Sequence, residues 1–184
     1  MIYELRNTRT GEKAPYKTTV EITEKDDIIT FKFTANNCQF YTPYKGEYNN
    51  VHSRGDACEI LIGSDPQRKV YYEIEISPNN DLFLAKMTNH GIVDGRIKLD
   101  IDYIDKCFLK SNVELIENGY IATVWFNKND ILTGDDDIYF NAYRLETDGG
   151  HRDKHLMALN PTMNGAFHTI ASYNYLKYYL KWYK

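Results

Sequence analysis

The chain predicts an all-β protein, an antiparallel β-sandwich of jelly-roll or immunoglobulin-like layers with long loops and little helix. Three observations lead there. First, two runs alternate apolar and polar residues with the period of a half-buried strand. Gly55-Asp-Ala-Cys-Glu-Ile-Leu-Ile puts Cys58, Ile60 and Ile62 on one face, and the run from Tyr71 to Asn80 puts Tyr72, Ile74 and Ile76 on one face. The opposite faces carry Glu59, Glu73 and Glu75. Second, many short runs of this kind are separated by turn formers, and no segment of about 12 residues shows a helical period. Third, 16 tyrosines, 8 phenylalanines and 2 tryptophans suit strands, and also suit a surface with aromatic platforms.

Taken in order, residues 1–15 read as an irregular lead-in ending at Ala14-Pro15. Residues 18–23 alternate as a strand, Asp26-Asp27 marks a turn, and residues 28–35 form the next strand with Ile29, Phe31 and Phe33 inward and Lys32 outward. Residues 36–54 form a long loop whose Tyr41, Tyr44 and Tyr48 favour a binding role. A hairpin over 57–77 turns at Gly63-Ser-Asp-Pro-Gln67, which is rich in turn formers. Residues 81–87 follow, then a mixed stretch over 88–105.

Residues 108–115 and 119–126 are further strands. The second of these sets Tyr120, Ala122, Val124 and Phe126 against Ile121, Thr123 and Trp125. Residues 127–132 suit a short helical turn capped by Asn127 or Asn129. Residues 137–144 form a strand with Phe140 and Ala142 inward and Tyr139, Asn141 and Tyr143 on the other face. Asn164-Gly165 is a turn, and residues 175–183 read as the closing strand.

At 184 residues the chain predicts a single domain, long enough to bury a core without disulfide staples. Three cysteines, Cys38, Cys58 and Cys107, are an odd number without metal spacing, and Cys58 on an apolar face predicts a buried thiol. The net charge of −4 offers no excess positive charge for nucleic acid, although residues 175–184 are locally basic and aromatic. No stretch approaches the roughly 18 apolar residues of a membrane span. The start Met1-Ile-Tyr-Glu-Leu-Arg lacks an apolar signal region, which predicts a cytoplasmic setting, or an extracellular one if a leader has been removed.

An ordered set of landmarks adds a family. Gly55-Asp56-Ala57-Cys58-Glu59, the run from Tyr71 to Asn79, Asn141-Ala142-Tyr143-Arg144 and Phe167-His168 occur in sequence. Together they resemble the family 9-like carbohydrate-binding modules, relatives of the xylanase-associated modules and part of the DOMON-like β-sandwich group. The likeness spans roughly residues 16–183, and the early 18–35 hairpin fits it. It implies a β-sandwich with a sugar site built from an aromatic clamp and polar side chains on one sheet. Two positions depart from it. Ser53 stands where the family carries a Trp, and Tyr173-Asn174 stands where Phe-Gly is usual, so the clamp is rebuilt from loop tyrosines or sugar binding is lost.

A face bearing three carboxylates amid aromatics suits a hydroxyl-rich ligand. Sugar hydroxyls donate to carboxylates and accept from guanidinium or amide groups, and charge-assisted bonds are about twice as strong as neutral ones. The candidate saccharide contacts are Glu59, Glu73, Glu75, Asn141, Tyr143 and Arg144, with stacking from Tyr44, Trp125 and Tyr173. By alternation Arg144 shares its side with Phe140 and Ala142, so joining Asn141 requires a strand end or a bulge. Arg144 paired with one of the glutamates as a purely structural network is the plainer alternative.

No cofactor is required. Asp135, Asp136 and Asp137 cluster oxygen ligands that suit a structural Ca²⁺, without the Asp-x-Asp-x-Asp-Gly pattern. The resemblance also implies structural calcium without placing it. His151 and His155, with Met157 and Met163 nearby in sequence, lack any haem or zinc motif. His168 predicts a packing or hydrogen-bonding role.

No catalytic residue is assigned. One alternative is a glycoside hydrolase using Glu73 and Glu75, whose i, i+2 spacing places their Cα atoms roughly 6–7 Å apart. The other is a structural or protein-interaction sandwich with a degenerate site. The saccharide is the expected partner, with no nucleic acid and no membrane, and the oligomeric state is open.

Overall fold

Period-two alternation sorts these side chains onto opposite strand faces, and two antiparallel sheets close over the apolar ones. The computed structural model describes residues 1–37, 39–43, 51, 55–105, 108–131, 137–150 and 155–180. The strands are β1 (Ile2–Glu4), β2 (Arg6–Asn7), β3 (Thr18–Lys25), β4 (Ile28–Asn36), β5 (Ala57–Gly63), β6 (Val70–Ile76) and β7 (Leu82–Val93). They continue with β8 (Arg96–Tyr103), β9 (Lys110–Ile116), β10 (Gly119–Asn127), β11 (Tyr139–Glu146), β12 (His155–Ala158) and β13 (Asn174–Tyr175). The smaller sheet runs β1-β3-β4-β10-β9, and the larger runs β2-β12-β11-β5-β6-β7-β8 with β13 also on β11.

The main core lies between the sheets. Val20, Ile22, Ile29, Phe31, Phe33, Tyr120, Ala122, Val124 and Phe126 come from the smaller sheet. Cys58, Ile60, Ile62, Ile74, Ile76, Phe140 and Ala142 meet them from the larger. Phe31 joins the halves, with ring centroids 6.3 Å from Phe126 and 5.6 Å from Phe140. Each Val, Ile or Phe side chain among them stabilises the fold by about 1.5–3 kcal/mol through burial. Cys58 is a buried free thiol, and burial pushes its pKa up to about 11.

The 63–67 turn forms as its residues dictate. The Asp65 carboxylate accepts from the backbone N–H groups of Gln67, Lys69 and Val70, and Arg68 takes a positive φ of 58°. Gly63 permits the closure, since a Cβ there would stand 2.7 Å from the Val70 carbonyl oxygen. Asn127 caps a 3-10 turn over Lys128–Asp130, its side chain accepting from the Asn129 N–H at 2.9 Å.

Three stretches differ from the sequence expectation. The lead-in is not irregular throughout: β1 pairs with β3 and β2 with β12, so successive strands strap the two sheets together around the fully buried Leu5. Residues 82–103 form one long hairpin, β7 and β8. Its register shifts between Asn89 and Ile92 around Gly91, whose φ is 82°, and that shift breaks the alternation. Of the closing strand expected over 175–183, the described residues keep only Asn174–Tyr175 as strand, followed by a 3-10 turn over Leu176–Tyr178, and 181–183 lie outside the described residues. Leu176, Tyr179 and Leu180 pack on the core at a turn's spacing, which the strand expectation overlooked.

Candidate functional site

The outward face of the larger sheet assembles in rows. Across one row, Ala158 of β12 pairs with Tyr143 of β11, Tyr143 with Glu59 of β5, Glu59 with Glu75 of β6, and Glu75 with Phe83 of β7. The next row is Asn141, Leu61, Glu73 and Ala85. Residues directly opposite in such rows hold their Cβ atoms about 4.5–5.5 Å apart, so alternation alone drives three carboxyls together. Oxygens of Glu59, Glu73 and Glu75 lie within 4.8 Å of one another. All three side chains are buried, with residue exposures of 3%, 5% and 0%.

The burial comes from a second apolar cluster outside the sandwich. Leu61, Tyr71, Phe83, Ala85, Met87, Tyr143, Ala158 and Tyr173 form it, with Phe167 and Ile170 packed on top. The Phe167 ring stacks on Tyr143 at 4.3 Å, and Tyr173 meets Tyr71 edge-on at 5.3 Å. The Tyr143 hydroxyl donates to the Phe167 carbonyl at 2.8 Å. His168 lies over Tyr71, with Nδ1 2.9 Å from its hydroxyl and Nε2 3.9 Å from Oε1 of Glu73. Asn89 ties the same segment down by donating to the His168 carbonyl at 2.9 Å.

Burial sets the electrostatics. It holds the Glu59 carboxyl well above the ordinary carboxylate range, and the charges of Glu73 and Glu75 push the same way. Glu73 is likewise held well above that range, by burial first and by the adjoining Glu75 carboxyl second. Burial also pushes the Tyr71 hydroxyl up to about 12. Oε1 of Glu59 is buried with no hydrogen-bond partner.

The structure brings together Glu59, Glu73, Glu75, Asn141, Tyr143 and Tyr173. Asn141 is a brace there: its amide donates to Asn160 O and Tyr143 Oη and accepts from the Asn160 N–H. Arg144 is a correction. Alternation turns it to the inner face, where Nη1 donates to Thr18 Oγ1 at 3.0 Å and to Asn36 O at 3.1 Å, and Nη2 pairs with Glu146. It meets none of the three clustered glutamates.

Trp125 is also apart, because β10 belongs to the other sheet and the core claims its alternate residues, leaving Trp125 on that sheet's outward face. Tyr44, Asp135 and Asp136 lie outside the described residues, as do Tyr48 and Ser53. Asp137 pairs with Lys177 at 2.9 Å on the surface. Tyr71 and His168 were not foreseen at the site. Tyr71 precedes Glu73 by two residues on the same strand face, which would have revealed it, whereas the contacts of His168 are long-range.

The chain matches no protein-family model and no curated protein. Solved structures do match. A Bacteroides uniformis ATCC 8492 protein, provisionally assigned as carbohydrate-binding, aligns with a TM-score of 0.68 at 11% identity, over 95% of this chain and 84% of that one. A family 9 carbohydrate-binding module from Caldicellulosiruptor kristjanssonii, in complex with glucose, aligns with a TM-score of 0.63 at 11% identity, over 97% of this chain and 83% of that one. A family 9 module from the same organism in complex with cellotriose gives 0.56 at 12% identity, over 85% and 72%. The fold is therefore the antiparallel sandwich of family 9 carbohydrate-binding modules, as the sequence landmarks predicted.

Proposed function

We propose that this protein is a non-catalytic carbohydrate-binding module for a mono- or oligosaccharide. The observation that carries the proposal is the carboxylate trio in a tyrosine frame, on a fold shared with modules solved with glucose and with cellotriose. Glu59, Glu73 and Glu75 accept hydrogen bonds from sugar hydroxyls, and Tyr71, Tyr143 and Tyr173 supply ring faces and edges to the sugar C–H groups. Asn141 and His168 hold this frame in place.

Calorimetric titration with glucose, cellobiose, cellotriose and xylo-oligosaccharides tests it. Binding of at least one at millimolar concentration or below, without release of product from an aryl glycoside, is the expected result. Turnover abolished by Glu73→Gln would instead make the chain a hydrolase.

One observation favours a second reading, a structural or interaction sandwich with a closed site. Phe167, His168 and Tyr173 pack directly over the acidic face. Absence of binding to every saccharide at millimolar concentration is the result that selects it.

A further inference from the structure

Strand β8 closes the larger sheet, and among the described residues no strand pairs with its far side. It alternates as a half-buried strand does, with Ile97, Leu99, Ile101 and Tyr103 pointing one way and Arg96, Lys98, Asp100 and Asp102 the other. Yet none of its eight residues is buried. Leu99 packs on the outer apolar cluster, and Tyr103 meets the Phe83 ring edge-on at 5.9 Å, so the apolar row continues the outward face of the sheet. Ile101 remains 49% and Tyr103 58% exposed. A long apolar edge of this kind is a template for another strand.

The backbone shows which groups that edge offers. The Ile104 N–H, just past β8, donates to the Leu84 carbonyl at 3.3 Å, so the even-numbered residues bond back to β7. The alternation of an antiparallel ladder then aims the N–H and C=O groups of Ile97, Leu99 and Ile101 away from the sheet.

We propose that β8 pairs antiparallel with β8 of a second copy of this chain, about a two-fold axis at Leu99. The charges along the strand carry this choice of occupant, because its basic half, Arg96 and Lys98, precedes its acidic half, Asp100 and Asp102. Centred on Leu99, antiparallel pairing sets Arg96 against the partner's Asp102 and Lys98 against the partner's Asp100. Each contact occurs twice by symmetry. The same register sets Leu99 against itself and Ile97 against Ile101 on the outward side. Opposite charges and apolar pairs placed directly opposite both stabilise a sheet. The neighbouring registers fail: centring on Lys98 or on Asp100 sets that charge against its own copy.

Asp100 also takes Nε2 of His90 at 2.7 Å, but its side chain is 68% exposed and keeps a second oxygen for the lysine. The edge of the smaller sheet, β9, has no such complementarity. Centred on Val113, it would set Lys110 against Ile116 and Ser111 against Leu115. Pairing through β8 makes the outward faces of two copies one continuous surface. The dimer goes beyond the saccharide reading and does not depend on it.

The test is sedimentation velocity on the full chain, in reducing buffer without saccharide, from about 5 to 500 µM, the range suited to a small interface. The expected result is a monomer–dimer equilibrium within that range. Two paired reversals, Arg96→Asp with Lys98→Asp and Asp100→Lys with Asp102→Lys, should each weaken self-association at least about tenfold, since every facing charge pair becomes repulsive. Mixing the two variants in equal amounts should restore the dimer, because all four facing pairs are then opposite in sign. Ile101→Pro removes an outward N–H that β7 does not use, so it should abolish the dimer and leave the monomer folded, as circular dichroism would verify.

A chain that stays monomeric throughout overturns the proposal without reference to any variant. So does a dimer that survives either paired reversal or the proline, or a mixture of the folded reversal variants that stays monomeric. Saccharide titration of the Ile101→Pro monomer reads the proposed function separately, so either conclusion can fail alone.

Discussion

Two groups of buried charge sit back to back on the larger sheet. On the inner face, Arg144 and Glu146 of β11 are both fully buried and paired. Asp56 beside them accepts from the backbone N–H groups of Tyr41 and Thr147, and Glu146 accepts from Asn37 Nδ2 and the Asp148 N–H. On the outer face, Glu59, Glu73 and Glu75 crowd together with a partnerless oxygen on Glu59. The inner group contains its own guanidinium and works as architecture, tying β11 to Thr18 and Asn36 of the smaller sheet. The outer group has no guanidinium of its own among the described residues, and one oxygen of Glu59 is left without a hydrogen-bond partner.

The largest expected effect is on the inner group. Arg144→Met leaves Glu146 buried without its cation and should destabilise the fold by about 3–5 kcal/mol, read by urea unfolding at neutral pH. A loss below about 1 kcal/mol would show that the inner pair is no more structural than an exposed one. Next comes the outer group as a ligand site. Glu59→Gln should weaken saccharide binding by about 0.5–1.5 kcal/mol, the net worth of a hydrogen bond between neutral groups, while leaving the fold intact. Unchanged affinity in calorimetry would remove Glu59 from the site.

A smaller effect of opposite sign sharpens the contrast. In chelator-treated protein, Glu73→Gln should stabilise rather than destabilise. The Glu59 and Glu73 carboxyls are held above the ordinary carboxylate range by burial, so the folded state retains protons that the unfolded chain has released. Their contribution to stability is greatest in acid and falls as pH rises through the folded values. The gap between variant and wild type should therefore widen from pH 5 to pH 8 in parallel urea titrations, and a gap that narrows would reverse the assignment.

Smallest of all is Trp125→Ala. On the outward face of the smaller sheet it should leave any saccharide titration unchanged and alter stability by about 1 kcal/mol or less. A lost isotherm would move the binding site to that sheet.

Local backbone geometry made much of this legible from the sequence. A strand presents alternate residues to opposite faces, so Cys58, Ile60, Ile62, Ile74 and Ile76 had to turn one way and Glu59, Glu73 and Glu75 the other. The same rule placed Arg144 with Phe140 and Ala142, where it is found. The 63–67 turn and the Asn127 cap are short-range hydrogen-bond motifs that Asp65 and Asn127 complete within five residues.

Tertiary structure alone decided the rest. It seated Phe167, His168 and Tyr173 over the acidic face, fused residues 82–103 into a hairpin through a register shift, and turned residues 176–178 away from a strand. Alternation fixes which way a side chain points, but not which distant segment comes to cover it. That is settled by which apolar surfaces, far apart along the chain, bury the most against one another.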